Sequence, residues 1–277
     1  MIPPNLDRQR RAYWTRKMDE GYAFMEAITR YPVEENGEPL ASLPEAAKAA
    51  GAQVVFSDTP IGPDLPRQFV LRQGLIPAFS AMAKAMNRRG FILKVEDAYR
   101  TRAMQAGLGL KPELLQKIGA RLARECGDTP PDAAFISRRV AALIAHCPKT
   151  GTHMSASALD ISVLRRGDGS ELPRGAPYLE MSELTPMESP FISPNCQLNR
   201  RLITGIMREF GFVEYPFEFW HYSSGDAIAA LVGKKTAPAR YGAVDCHENG
   251  RTTPVENPLE PLNSPETLAA ALEAAML

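Results

Sequence analysis

In GTHMSASALDISVLRR, residues 151–166, a short loop runs into a strand: SALDISVLRR is β-favouring, and the GDGS that follows at 167–170 is a turn signal leading to a return strand. The loop carries His153, and seven residues later Asp160 enters the strand. That spacing lets the loop fold back beside the strand and bring imidazole and carboxylate together. By itself HxxxxxxD is a loose pattern, and a loop histidine is usually solvated.

Outward from this stretch the chain alternates helix and strand. Upstream lie two helical segments, 112–125 with Pro112 near its start and Gly127 after its end, and 132–146 with Asp132 as N-cap and Pro148 as terminator. Before them FILKVEDAY, residues 91–99, alternates Phe91, Leu93 and Val95 with Lys94 and Glu96 as a strand does, and delivers Arg100 at its end. The stripe Leu75, Phe79, Met82 and Met86 predicts a helix stopping at Gly90. Residues 6–29 place Trp14, Met18, Tyr22 and Met25 at helical spacing, and a polar passage with Gly and Pro runs on to about residue 68, which together read as an N-terminal extension of about 1–68.

Downstream, a Pro-rich loop at 173–194 precedes an amphipathic helix over 195–210 (Leu198, Leu202, Ile206, Phe210) closed by Gly211. FVEYPFEFWHY, residues 212–222, is aromatic and β-favouring. A tail beyond 243 reads as loop until Ser264 and Pro265 open a short Ala-rich helix. The order predicts one α+β domain with a small, mostly antiparallel sheet flanked by helices.

Composition sets the bounds. A length of 277 residues suits one large core with extensions rather than two equal domains. The 44% hydrophobic and 23% charged content is that of an ordinary globular chain, and 32 basic residues balance 32 acidic ones, which argues against a nucleic-acid binder relying on bulk charge. The 24 prolines argue for many loops. No run approaches the roughly 18–20 apolar residues of a membrane span. No apolar stretch follows the N-terminal arginines, so no secretory signal is visible and the expected location is the cytoplasm. Cys126, Cys147, Cys196 and Cys246 lie far apart and read as free thiols.

The second informative histidine is His221, in Glu218-Phe219-Trp220-His221-Tyr222. Two neutral imidazoles and one carboxylate make a three-ligand zinc site with a position left for water, and a further carboxylate beside that water is what a hydrolase needs. The competing reading is a core strand, because ExxH in a regular strand puts Glu and His on opposite faces unless the strand bends or bulges. His146-Cys147 and Cys246-His247 are poor metal sites, since adjacent residues rarely aim at one ion.

Taken together the motifs resemble the D-alanyl-D-alanine dipeptidase family of zinc peptidases. The likeness rests on Asp97-Ala98-Tyr99-Arg100 at a strand end, on His153, Ala158 and Asp160 in a Ser-x-His-x-x-Gly-x-Ala-x-Asp pattern, and on Asn199-Arg200 and Gly211-Phe212. It continues through Glu218-Phe219-Trp220-His221-Tyr222, Gly225-Asp226 and Gly233-Lys234, in family order and over roughly residues 70–243. The resemblance implies a zinc D,D-peptidase fold, hedgehog-like, with one Zn²⁺ per chain on His153, Asp160 and His221. It implies Glu218 as proton acceptor and donor and Arg100 as the cation facing the oxyanion, with Arg102 the competing arginine. Tyr99 and Trp220 would pack around the ligands. The family's acidic residue for the substrate ammonium falls among Glu180, Glu183 and Glu188, of which Glu188 is chosen.

The implied activity is hydrolysis of D-alanyl-D-alanine or a related D,D-dipeptide, with no nucleic-acid or membrane partner. The rivals are a D,D-carboxypeptidase acting on longer peptidoglycan peptides and a zinc-containing binding domain without turnover. Two positions depart from the family: Gly151 stands for its serine and Ala156 for its glycine, where a left-handed backbone would be strained by a Cβ.

Overall fold

The computed structural model describes residues 4–61, 65–127, 131–247 and 251–276. Along the chain come α1 (Pro4–Arg30), β1 (Leu40–Ser42), α2 (Leu43–Ala50), β2 (Val54–Phe56), β3 (Val70–Arg72) and α3 (Ile76–Arg88). Then follow β4 (Phe91–Asp97), α4 (Arg102–Gly109), α5 (Pro112–Cys126), α6 (Ala133–Leu143) and β5 (Ala158–Arg165). The remainder is α7 (Pro194–Glu209), β6 (Val213–Tyr215), β7 (Glu218–Ser223), α8 (Ala227–Val232), β8 (Val244–Cys246), β9 (Thr252–Pro254) and α9 (Pro265–Met276). None of the described helices is long and apolar enough to cross a membrane.

Five strands form the central sheet in the order β2-β4-β5-β7-β6, antiparallel except for the β2–β4 pair. This is the α+β architecture with a small, mostly antiparallel sheet that the element order predicts. Strand periodicity gives the sheet two chemically different faces. Leu93 and Val95 of β4, Leu159, Ile161 and Val163 of β5 and Tyr222 of β7 turn to one side. There they meet Phe79, Met82 and Met86 of α3 and Ile203, Ile206 and Met207 of α7 in the main core.

Two bulges give the other face its polar groups. Strict alternation would send Asp97 into the core after Leu93 and Val95. Instead the β4–β5 register shifts between Val95 and Asp97, so Val95 pairs with Ile161 but Asp97 pairs with Asp160. Asp160 also pairs with His221 on its other side, so Asp97, Asp160 and His221 form one row across three strands. In β7 the pairing to β6 jumps from Glu214–Tyr222 to Tyr215–Glu218. That break answers the objection to ExxH: Glu218 and His221 line the same cavity.

Helices roof this face. Leu115, Ile118 and Leu122 of α5 pack with Val140 of α6, Leu272 of α9 and Met181 of the Pro-rich loop. Trp14 and Met18 of α1 meet Ala142 of α6, and Met25 and Ile28 meet Tyr215 and Ile228 behind β6.

Several sequence expectations need correction. Residues 30–68 hold β1, α2 and β2, and the tail beyond 243 holds the β8–β9 hairpin. Three-residue strands are too short to show an alternation. The helix expected over 132–146 stops at Leu143, although Asp132 caps it as expected, its side chain accepting from Phe135 N at 2.6 Å. The return strand after GDGS shrinks to the single bridge Leu164–Glu171. FVEYPFEFWHY is two strands, β6 and β7, joined through Pro216 and Phe217.

Candidate metal centre and cavity

His153 sits on a 3₁₀ turn, Thr152–Ser155, which ends at Ala156 in the left-handed conformation (φ 51°, ψ 37°). The turn folds the imidazole back over the row of Asp97, Asp160 and His221, as the spacing to Asp160 suggested. His153 Nε2 lies 3.2 Å and His221 Nδ1 3.0 Å from Asp160 Oδ1, and the two rings stand edge to face at 4.9 Å. One ligand atom from each of the three buried residues falls within 4.8 Å of the others. Among the described residues no other group of three such side chains converges, which leaves the His146-Cys147 and Cys246-His247 pairs without a third ligand.

The outer nitrogens orient the rings. His153 Nδ1 donates to the Ala98 carbonyl, which leaves Nε2 with its lone pair facing Asp160. With the lone pair of His221 at Nδ1, its Nε2 donates to the Thr152 hydroxyl at 3.0 Å. Burial pushes the Asp160 carboxyl up, but His153 and His221 outweigh burial and hold it well below the usual carboxylate range. Two borderline-soft nitrogens and one anionic oxygen, both imidazoles fixed from behind, are a donor set that fits zinc.

Glu218 and Arg100 flank this group in a cavity of about 220 Å³, also lined by Trp220, Tyr178 and Tyr215. Burial raises the Glu218 carboxyl to about 7, with His221 opposing and Asp160 adding to the rise, and Arg100 and a hydrogen bond from Trp220 also opposing. Arg100 is held by three partners: Nε donates to Asp97 Oδ2 at 2.8 Å, Nη1 to Gln105 Oε1 at 3.0 Å and Nη2 to Asp160 Oδ2 at 3.4 Å. Burial works against its charge, but Asp97 and Asp160 more than offset it and raise its pKa. Arg67 Nη1 reaches the same Asp97 Oδ2 at 2.8 Å, so one aspartate fixes two guanidinium groups.

Other expected residues lie elsewhere. Arg102 has a side chain 43% exposed and reaches Glu260 at 3.8 Å, away from the imidazoles. Glu188 is not in the cavity: its side chain is 71% exposed, pairs with Arg201 at 3.6 Å and faces a separate depression beside α7. Glu183 turns inward to Arg10, Arg121 and Arg124, at 2.6, 3.8 and 3.3 Å, and Glu180 turns to Arg121 at 3.5 Å. Tyr99 donates its hydroxyl to the Val244 carbonyl at 2.9 Å and packs below the turn, while Trp220 walls the cavity.

Sequence reasoning passed over Asp97 as a functional side chain and over Thr152, Gln105 and Tyr178. Tyr178 lies in the Pro-rich loop, where no periodicity marks a residue as inward-facing, yet its hydroxyl donates to Asp160 Oδ2 at 2.9 Å.

The chain is similar to several known proteins. A D-alanyl-D-alanine dipeptidase from Enterococcus faecium is 35% identical over 71 residues, 26% of this chain and 35% of that one. One from Escherichia coli (strain K12) is 35% identical over 77 residues, 28% and 39% of the two chains. These alignments thus span little more than a third of the relatives' own length. Among solved structures, the vancomycin resistance D,D-pentapeptidase VanY in complex with Zn(II) aligns with TM-score 0.36 and 18% identity over 67% of this chain and 94% of that one. The LD-carboxypeptidase LdcB aligns with TM-score 0.37 and 17% identity over 74% and 79%. The family described as D-ala-D-ala dipeptidase matches residues 67–238, more than half of the sequence and all of the cavity's polar centre from Arg67 to His221, and the chain belongs to that family.

Proposed function

We propose that the chain is a zinc-dependent D,D-peptidase that hydrolyses D-alanyl-D-alanine or a related D,D-dipeptide, with one zinc per chain on His153, Asp160 and His221. The observation that carries this reading is the convergence of these three side chains with Glu218 and Arg100 on one cavity. A zinc ion bound there supplies Lewis acidity, which lowers the pKa of a coordinated water toward neutrality. Glu218, lining the same cavity, takes a proton from the attacking water and returns it to the leaving amine. Arg100, locked by Asp97 and Gln105, presents fixed positive charge where the carbonyl oxygen becomes anionic; removing one such donor costs about 10²-fold to 10³-fold in rate. Purified protein with zinc, offered D-Ala-D-Ala, should release free D-Ala. No release from the dipeptide or from longer D-Ala-D-Ala peptides would refute the peptidase reading.

A second reading, a D,D-carboxypeptidase on longer peptides, is favoured by one observation. Glu180, Glu183 and Glu188 are all paired with arginines, none lining the cavity. A dipeptidase that pairs the substrate ammonium with a carboxylate should lose most activity on N-acetyl-D-Ala-D-Ala, since a buried anion would be left unpaired. Comparable cleavage of the acetylated substrate selects the carboxypeptidase.

A further inference from the structure

The two oxygens of Asp160 have different neighbours. Oδ1 faces His153 Nε2 and His221 Nδ1 at 3.2 and 3.0 Å, whereas Oδ2 accepts from the Tyr178 hydroxyl at 2.9 Å and from Arg100 Nη2 at 3.4 Å. We propose that Tyr178 is a positioning residue that makes Asp160 a one-oxygen ligand of the metal, so that the fourth coordination position stays open for water and substrate. This inference rests on the zinc reading above.

The hydroxyl is held where it can do this. The Tyr178 ring stands edge-on to Trp220, centroids 5.7 Å apart at 88°. Behind it the backbone is gripped by α5: Lys117 Nζ donates to the Leu179 carbonyl at 3.0 Å and Arg121 Nε to the Met181 carbonyl at 2.6 Å. Leu179 adopts a left-handed φ of 61°, a conformation costly for a side chain with a Cβ and one that these contacts must hold in place.

Chemistry supplies the rest. A cation at the meeting point of the two imidazoles meets Oδ1 first, and Oδ2 could join it only by giving up its donors. Of these Arg100 is the longer contact, with its Nε and Nη1 already committed to Asp97 and Gln105. Tyr178 is therefore the group that keeps Oδ2 off the metal. Outer partners of this kind commonly change metal affinity about 10-fold to 100-fold.

The test uses Tyr178→Phe, which keeps the ring against Trp220 and removes only the hydroxyl, in full-length protein loaded with Co(II). Thr152→Val serves as control, because it removes the hydroxyl behind His221 without freeing a carboxylate oxygen. Wild-type protein and the Thr152→Val variant should show the intense visible absorption of four-coordinate cobalt. Tyr178→Phe should show the weaker bands of a higher coordination number, with zinc affinity altered about tenfold or more in a chelator competition. An unchanged cobalt spectrum in Tyr178→Phe overturns the proposal whatever the affinity does, and so does the same change in both variants. Wild-type protein that binds neither cobalt nor zinc would instead remove the metal reading beneath it.

Discussion

In the proposed mechanism Glu218 is the residue on which metal binding and catalysis would separate. As general base rather than ligand, Glu218→Gln keeps shape and hydrogen bonding but cannot accept the proton, so zinc content should stay near one per chain while turnover falls about 10²-fold to 10⁴-fold. Loss of zinc together with activity would make Glu218 a ligand. His221→Ala, by contrast, should lower zinc stoichiometry, as metal analysis would show. Arg100→Lys keeps the charge but not the planar fork, and no ammonium can reach Asp97, Gln105 and Asp160 at once, so kcat should drop with zinc retained. Glu218 also carries a pH signature in the metal-free protein. Its carboxyl is raised from 4.5 to about 7, so the folded state favours the protonated form. The stability this contributes is complete below about 4.5 and is lost as pH rises through about 7. At about 1.4 kcal/mol per unit the ceiling is ~3 kcal/mol, which water at the cavity mouth reduces. Melting curves of metal-free protein should therefore show wild type losing more stability than Glu218→Gln between pH 5 and 8.

At the scale of elements, the site depends on departures from regularity, and this is where the sequence was hardest to read. His153, Asp160, His221, Glu218 and Arg100 stood out because each lies in a motif with a chemical reason for its residue types. The bulge that turns Asp97 beside Asp160 was not visible, because alternation in FILKVED continues through it unbroken. Long amphipathic helices such as α3, α5 and α7 were legible from their stripes. The strands β1 and β2 are held by pairing partners distant in sequence, which no local pattern announces, and β8 and β9 pair with each other but are three residues each, too short to show an alternation. The turn ending at Ala156 was anticipated as strained, and its φ of 51° bears that out. Ala156→Gly should relieve about 1–2 kcal/mol of left-handed strain. Against that stand about 0.5–1 kcal/mol of extra chain entropy and about 0.8 kcal/mol of lost methyl burial beside Tyr99 and Val244. Denaturant unfolding should therefore place the variant within about 1 kcal/mol of wild type, and a larger loss would mean that the methyl itself is needed beneath the histidine.

Over the whole molecule, charge ties the roof helices to the Pro-rich loop. Glu183, with a side chain only 4% exposed, gathers Arg10 of α1 and Arg121 and Arg124 of α5 onto the loop that carries Tyr178. Breaking a fully buried pair costs about 3–5 kcal/mol. Here the arginines keep 20–28% exposure, so water compensates in part and Glu183→Gln should cost about 2–4 kcal/mol in urea unfolding. The packing of α9 on α5 has a consequence for the order in which the protein is made. β4, β5 and β7 are complete once residue 223 has been synthesised, so the row of Asp97, Asp160 and His221 can assemble while α9 is still untranslated. Until then Leu115, Ile118 and Leu122 lack Leu272 as a neighbour. The growing chain thus leaves this apolar face of α5 without its last cover until α9 has emerged, after the strands that carry Asp97, Asp160 and His221.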